Sequence, residues 1–248
     1  MVTSGRGPSE RDISHFSDAV RTIKAEFPNL EICLSLGLMD EPQARTLKEA
    51  GVGWINHNLN TSRRFYPEIC STHAYADRVS TLLAAKKCGI EPCSGIILGM
   101  GERSQDVIEV AFKLRELEVP SIPVNFLVPI EGNPVQSDGS LTPERGLRAL
   151  ALMRLVNPRA EIRVAAGREG HLRGLASLAL WPANSLFVEG YLTTRGDAVT
   201  ETYRMIHDAG FEVDGNPLSR SLAADESAVG GFRLAGGDGE ILRPEIRR

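Results

Sequence analysis

The sequence predicts an α/β fold: an incomplete parallel (β/α) barrel of the TIM type, with six full βα units and its first strands missing. Three observations lead there. Strand-like and helix-like segments alternate with short connections. The strand-like segments are nearly all apolar, as in a parallel sheet covered by helices. Polar residues recur at the strand ends, which suits a barrel better than a doubly wound sheet.

The elements follow in order. Residues 10–27 read as an amphipathic helix, and residues 31–37 (EICLSLG) as a buried strand. A helix over 41–50 stops at Gly51, a normal C-terminal signal. WINHNL (54–59) is the second strand, and the helix over 74–88 stops at Gly89. EPCSGIIL (91–98) is the third strand, followed by a helix over 104–118 with Ser104 as its N-cap. IPVNFLVPI (122–130) precedes a helix over 142–156, with Thr142 at the N-cap and Pro143 at N1. A fifth strand at 161–165, a helix over 169–178, a sixth strand at 185–190 (SLFVEG) and a helix over 197–209 complete the series. Residues 1–4 fit the end of a preceding strand. The barrel therefore spans residues 1–212. Residues 213–248, rich in Gly, Ser, Ala and charge, read as a disordered tail.

Composition narrows the function. Hydrophobic residues make up 42% and charged residues 24% of the 248, ordinary for a water-soluble domain. The net charge is −4 with the two signs interspersed, so no basic stripe points to nucleic acid. No apolar run approaches a membrane span and the N-terminus lacks a signal-peptide pattern, so the expected location is the cytoplasm. In that reducing compartment the four cysteines, at 33, 70, 88 and 93, are not expected to form disulfides. They form no CxxC pair, which removes zinc-knuckle and thioredoxin-type readings.

The strands carry polar residues that packing alone explains poorly. They are Cys33, the run Asn56, His57, Asn58 and Asn60, then Cys93 and Ser94, Asn125, and Arg163. Singly, each has an ordinary reading: a small buried thiol, a satisfied core histidine, a loop-holding amide or a structural ion pair. Together they favour a site. Cys70 and Cys88 read as structural. Gly99-Met100-Gly101-Glu102 resembles part of a phosphate loop but lacks its Lys-Ser/Thr, and a strand-end turn explains it equally well.

The stretch WINHNLNTSRRFYPEIC, followed by CSGIILGMGE, PVNFLVPIEGNP, IRVAAGRE and ANSLFVEGYLTT, resembles the biotin synthase family of radical S-adenosylmethionine (SAM) enzymes in order and spacing. The likeness runs from about residue 1 to about residue 210. It implies a sulfurtransferase that inserts sulfur between two unactivated carbons of dethiobiotin to form biotin. It also implies a [4Fe-4S] cluster that reductively cleaves SAM to a 5′-deoxyadenosyl radical, and a [2Fe-2S] cluster that donates the sulfur. By this resemblance Cys33, Cys93 and Arg163 match three of the four [2Fe-2S] ligand positions. Asn58 and Asn125 match residues that hydrogen-bond the ureido ring of dethiobiotin, a task suited to amides, which both donate and accept. Asn58 and Asn60 match positions near the SAM ribose, and Arg78 one near the SAM carboxylate. Many relatives carry Asp where this chain has Asn60; the amide keeps the hydrogen bond and loses the charge.

The CxxxCxxC motif that binds the family's [4Fe-4S] cluster is absent, and the fourth [2Fe-2S] ligand is expected just ahead of Met1. The chain thus reads as starting at an internal Met or as a fragment, inactive alone. The alternative is a short paralogue, a non-catalytic barrel remnant that binds dethiobiotin, SAM or a partner chain. A cluster-free enzyme on the same barrel has neither a strand-end Lys nor paired carboxylates in its favour. Open sheet edges would promote self-association, so pairing of two copies is expected.

Overall fold

The computed structural model describes residues 1–130, 132–133, 135–137, 139–188, 190–191 and 194–214. From residue 215 onward the expected tail lies outside the described residues. The elements run α1 (Glu10–Glu26), β1 (Cys33–Leu34), α2 (Glu41–Ala50), β2 (Trp54–Asn56), α3 (Tyr66–Ile69), α4 (Tyr75–Lys87), β3 (Glu91–Cys93), β4 (Ile96–Leu98) and α5 (Ser104–Glu116). They continue with β5 (Ser121–Phe126), α6 (Pro143–Val156), β6 (Glu161–Val164), α7 (Arg168–Leu172), β7 (Ser185–Leu186), β8 (Gly190–Tyr191), β9 (Thr194–Arg195) and α8 (Val199–Asp208).

Local chemistry sets most helix boundaries. At α1, Ser9 Oγ accepts from the Asp12 amide at 3.2 Å while the Asp12 carboxylate accepts from the Ser9 amide at 2.9 Å. Asp40 and Gln43 form the same reciprocal cap on α2, which ends at Gly51 in the left-handed region, φ 109°. Thr142 caps α6 with Pro143 in its first turn. At α5 the cap differs from expectation. Ser104 is already helical and Arg103 is the N-cap; lacking a side-chain acceptor there, the helix uses the Asp106 carboxylate, which accepts from the Arg103 amide at 2.7 Å.

The strands form one parallel sheet in the order β1-β2-β3-β5-β6-β7, with β4 paired to β5, and the helices lie on its outer face. Six βα units are present, as the alternation predicts, and the sheet forms an arc rather than a closed barrel. Ahead of β1, Val2 bridges in parallel to Ser35, with the Ser35 amide donating to Met1 O at 2.9 Å and the Thr3 amide to Ser35 O at 3.0 Å. Residues 1–3 thus carry the sheet one strand further.

Two segments depart from the expected pattern. The third strand divides into β3 and β4 around Gly95, where a Cβ would lie 1.8 Å from Pro123 O. Only glycine admits that approach of two backbones. The helix expected over 169–178 stops early: α7 gives way to a 3₁₀ segment, Arg173–Leu180, with Arg173 at φ 50°. The sixth strand is two residues long and is followed by the antiparallel β8–β9 hairpin.

Register decides which side chains face where. Parallel partners point to the same side, and successive residues alternate. Leu34, Ile55, Ile122, Val124, Ile162 and Val164 fall on the helix side, each at most 1% exposed. There they join two apolar clusters, one against α1 and α2 and one against α4, α5 and α6. Burying such a side chain stabilises the fold by about 1.5–3 kcal/mol. No helix among the described residues is long and apolar enough to cross a membrane.

This layering predicts a contrast between two truncations. Ile162→Ala, at a position with no exposure, should lower unfolding free energy by about 2–5 kcal/mol. Leu155→Ala, at a site 78% exposed, should change it by less than about 0.5 kcal/mol. Urea titrations followed by circular dichroism check both; equal effects would show that the sheet does not bury that face.

Candidate functional site

The other side of the sheet is polar. Cys33 pairs in register with Trp54, Asn56 with Cys93, Cys93 with Ser121, Ser121 with Glu161, Pro123 with Arg163, and Arg163 with Ser185. These residues, with Asn125 two beyond Pro123, therefore share the concave face. Cys33, Cys93 and Arg163 come from three different strands onto one belt.

Contacts within the belt link its members. Asn56 Nδ2 lies 3.7 Å from Cys93 Sγ, and Cys93 Sγ lies 3.6 Å from Ser121 Oγ. Arg163 donates to Glu161 Oε1 from Nε at 3.1 Å and from Nη2 at 2.6 Å, and its Nε also reaches Ser185 Oγ at 3.1 Å. Its guanidinium stacks over Phe187, 5.7 Å from the ring centre.

Charge is tightly managed here. Cys33 is exposed on the face, yet the desolvation of its thiol by surrounding protein pushes it up to about 11; the nearby Cys93 adds to the rise, while the chain's terminal ammonium and Arg163 oppose it. Burial likewise raises Cys93, partly offset by its hydrogen bond with Ser121 and the Arg163 charge. Burial also works against the Glu161 carboxylate. Hydrogen bonds with Ser185 and the charge and hydrogen bonds of Arg163 nevertheless hold it below its ordinary value.

A second group gathers around the backbone of residues 95–97, toward the C-terminal ends of the strands. Asn58 Oδ1 accepts from the Gly95 amide at 2.9 Å. Asn125 Nδ2 donates to Ile96 O at 3.4 Å. Asn60 stands at φ 67°, a conformation asparagine tolerates better than most residues, and donates its backbone N–H to Gly95 O at 3.0 Å. Arg78, from α4, donates from Nη1 to Asn58 O at 2.7 Å and from Nε to the Tyr66 hydroxyl. The three asparagines and Arg78 thus meet at one end of the concave face, beyond the belt of Cys33, Cys93 and Arg163.

His57 lies on the opposite side of its strand from Asn56 and Asn58. It is 5% exposed and its Nε2 has no partner. Burial, then the charges of Arg78 and His73, lower it to about 3. The Gly99–Glu102 turn closes on itself: the Glu102 carboxylate accepts from the Gly99 amide at 2.9 and 3.1 Å and from the Met100 amide at 2.8 Å. Those amides are used internally, so the segment is a structural turn rather than a phosphate cradle.

Ser121, Glu161 and Ser185 also belong to the belt, and sequence reasoning did not single them out. The signal was available in part. Glu161 stands two residues from Arg163, and a spacing of two on a strand means a shared face. Ser121 and Ser185 required the register.

Comparison with known proteins gives the family. Residues 2–114 match the family model described as the Radical SAM superfamily, and residues 123–212 match the Biotin and Thiamin Synthesis associated domain. The chain is 54% identical to a biotin synthase of Acaryochloris marina over 99% of its own length and 69% of the relative's. The chain belongs to the biotin synthase family. A biotin synthase of Magnetococcus marinus is 53% identical, with 86% of this chain and 66% of the relative covered. One of Streptomyces coelicolor is 50% identical, with 87% and 53% covered. The chain thus spans roughly half to two thirds of the length of these biotin synthases. Among solved structures, methylornithine synthase superposes with a TM-score of 0.66 at 21% identity, covering 88% of this chain and 67% of that one. The hydrogenase maturase HydG of Carboxydothermus hydrogenoformans gives 0.65 at 15%, covering 92% and 54%. At those identities the likeness is one of fold.

The buried imidazole gives this biotin synthase family member a pH signature. An unfolded His57 takes up a proton as pH falls through about 6.5, whereas the folded one, lowered to about 3, does not. Stability should therefore fall between those values, by on the order of 1 kcal/mol per pH unit. Urea midpoints measured from pH 7 to pH 4 should decline, and His57→Gln should flatten the decline. An equal slope in the variant would assign the acid sensitivity to other groups.

Proposed function

We propose that this chain forms the substrate- and sulfur-handling part of a biotin synthase, an enzyme that inserts sulfur into dethiobiotin by SAM-dependent radical chemistry. The observation that carries the reading is the belt itself: two thiols and a guanidinium brought from three strands onto one concave face, with three asparagines at its C-terminal end.

The donor set fits a [2Fe-2S] cluster. Cys33 and Cys93 would hold it, with Arg163 as a third and unusual donor; thiolates are the ordinary iron–sulfur ligands. When bound, the cluster supplies the sulfur atom that the product gains. The chain's own residues prepare the place. Both thiols sit above their ordinary value, so each must release a proton to serve as a ligand, and loading is favoured as pH rises. Glu161 balances the Arg163 charge and, with Ser185, fixes the plane of the guanidinium. Asn58 and Asn125 would grip the ureido ring through paired donor and acceptor atoms. Arg78 would face the SAM carboxylate, and Asn60 the ribose.

The radical cluster does not fit these residues. The 248-residue sequence has no CxxxCxxC, and no group of three or more His, Cys, Asp or Glu placed to hold a metal stands among the described residues. No step through a [4Fe-4S] cluster is assigned to this chain, which taken alone is inactive on SAM.

Reconstitution with iron and sulfide tests the reading. The chain should develop the visible absorption of a [2Fe-2S] cluster, and Cys93→Ala should abolish it. Neither protein should release 5′-deoxyadenosine from SAM. Asn125→Ala should weaken dethiobiotin binding by about fivefold to thirtyfold, the loss of about one or two hydrogen bonds, by isothermal calorimetry. Dethiobiotin binding without any cluster would favour the non-catalytic module instead, and 5′-deoxyadenosine release would overturn the assignment of the missing motif.

A further inference from the structure

Arg163 enters the belt from β6 with its side chain leaning back along the strand. In register, Cys93, Ser121 and Glu161 form one row across the sheet. Pro123, Arg163 and Ser185 form the next row, nearer the C-terminal ends of the strands. The guanidinium nevertheless bonds into the earlier row: Nε and Nη2 both donate to Glu161 Oε1, at 3.1 and 2.6 Å. Ser185, in the row of Arg163 itself, takes a single bond from Nε at 3.1 Å.

A guanidinium is planar, and its N–H donors point in fixed directions. Once Nε and Nη2 share one oxygen, that edge of the group is committed and Nη1 lies beyond it. Among the described residues Nη1 has no hydrogen-bond partner. Phe187 covers one face of the plane, 5.7 Å from the guanidinium carbon to the ring centre. The Arg163 and Glu161 side chains remain 26% and 32% exposed, so their pairing adds little to stability; its consequence is orientation. The charge so placed is felt at both thiols, where it opposes the rise of Cys33 and of Cys93.

We infer that Glu161 is the positioning residue of Arg163: it draws the guanidinium back from the Ser185 row to the Cys93 row and leaves Nη1 as the nitrogen presented to a cluster held by Cys33 and Cys93. This rests on the reading of Arg163 as a cluster donor. It adds which nitrogen donates and which residue selects it. Ser185 does not replace Glu161. One bond to Nε lets the two Nη groups exchange by rotation about the Nε–Cζ bond, and it holds the group in its own row. The strand itself does not depend on the carboxylate, since the Glu161 contact to the neighbouring strand is its backbone N–H, which donates to Pro120 O at 2.8 Å.

Two measurements on the 248-residue chain test the inference. The first needs no cluster. In arginine-selective ¹⁵N NMR, with Arg163 assigned by its loss in Arg163→Lys, Nη1 and Nη2 should give separate signals. Glu161→Ala should merge them into one. Glu161→Gln, whose amide oxygen still accepts from the same edge, should keep them apart. A merged signal in the unsubstituted chain, or separate signals in Glu161→Ala, would overturn the role of Glu161. The second measurement is resonance Raman of the chain reconstituted with iron and sulfide and labelled with guanidino-¹⁵N arginine. An iron–ligand band should shift with the isotope in the unsubstituted chain and in Glu161→Gln, and should not shift in Glu161→Ala. Iron should pass to a chelator about tenfold to a hundredfold faster from Glu161→Ala, the scale ordinary for a residue that orients a metal ligand. A shift that survives in Glu161→Ala would leave Arg163 as a donor and remove Glu161 as its positioning residue. A bound cluster with no isotope shift in the unsubstituted chain would remove the donor reading, and this inference with it.

Discussion

The two-sidedness of the parallel strands is the constraint on which the rest of this structure depends. The strands turn apolar residues toward the helices and most of the chain's strand-borne polar residues toward the concave face, where Trp54, Ile97 and Pro123 are the apolar members, and the register keeps those assignments in phase from β1 to β7. A slip of one residue between β5 and β6 would put Arg163 among the helices and Ile162 into the cavity. The apolar side supplies the stabilisation that fixes the register. The polar side chains of the concave face, which contribute little to it, are aligned by the same pairing.

Such alignment brings its own electrostatic problem. Two thiols and a guanidinium on one belt must coexist in surroundings that penalise charge. The thiols respond by holding their protons. The Arg163 guanidinium instead takes Glu161, two residues away on the same strand, as its counter-charge. The pair is local in sequence, so it forms whenever the strand forms and does not rely on a distant element.

The backbone of residues 95–97 is the point where the two halves of the site meet. Gly95 lets β5 approach closely enough that Asn58, Asn60 and Asn125 all bond to this one stretch. A side chain at Gly95 would push Pro123 away and separate the asparagines. From the same place Arg78 and Tyr66 connect outward to His73, so a continuous hydrogen-bond path joins the mouth of the barrel to the segment between α3 and α4.

The sequence by itself determined the parallel α/β class, the six βα units, the chief helices with the Thr142 cap, and the family. These follow from local rules: periodicity, capping chemistry and long runs of matched residues. It also singled out Cys33, Cys93, Arg163, Asn58, Asn60 and Asn125, because polar residues in or beside apolar strands stand out against their neighbours, and Arg78 through the family resemblance alone. Only the tertiary structure decided that Ser121, Glu161 and Ser185 complete the belt, that His57 turns away from its flanking asparagines, and that Cys70 faces the His73 imidazole. Side-chain partnership across strands depends on register, and the meeting of α3 with α4 depends on packing. Neither is written in the spacing of residues along one segment.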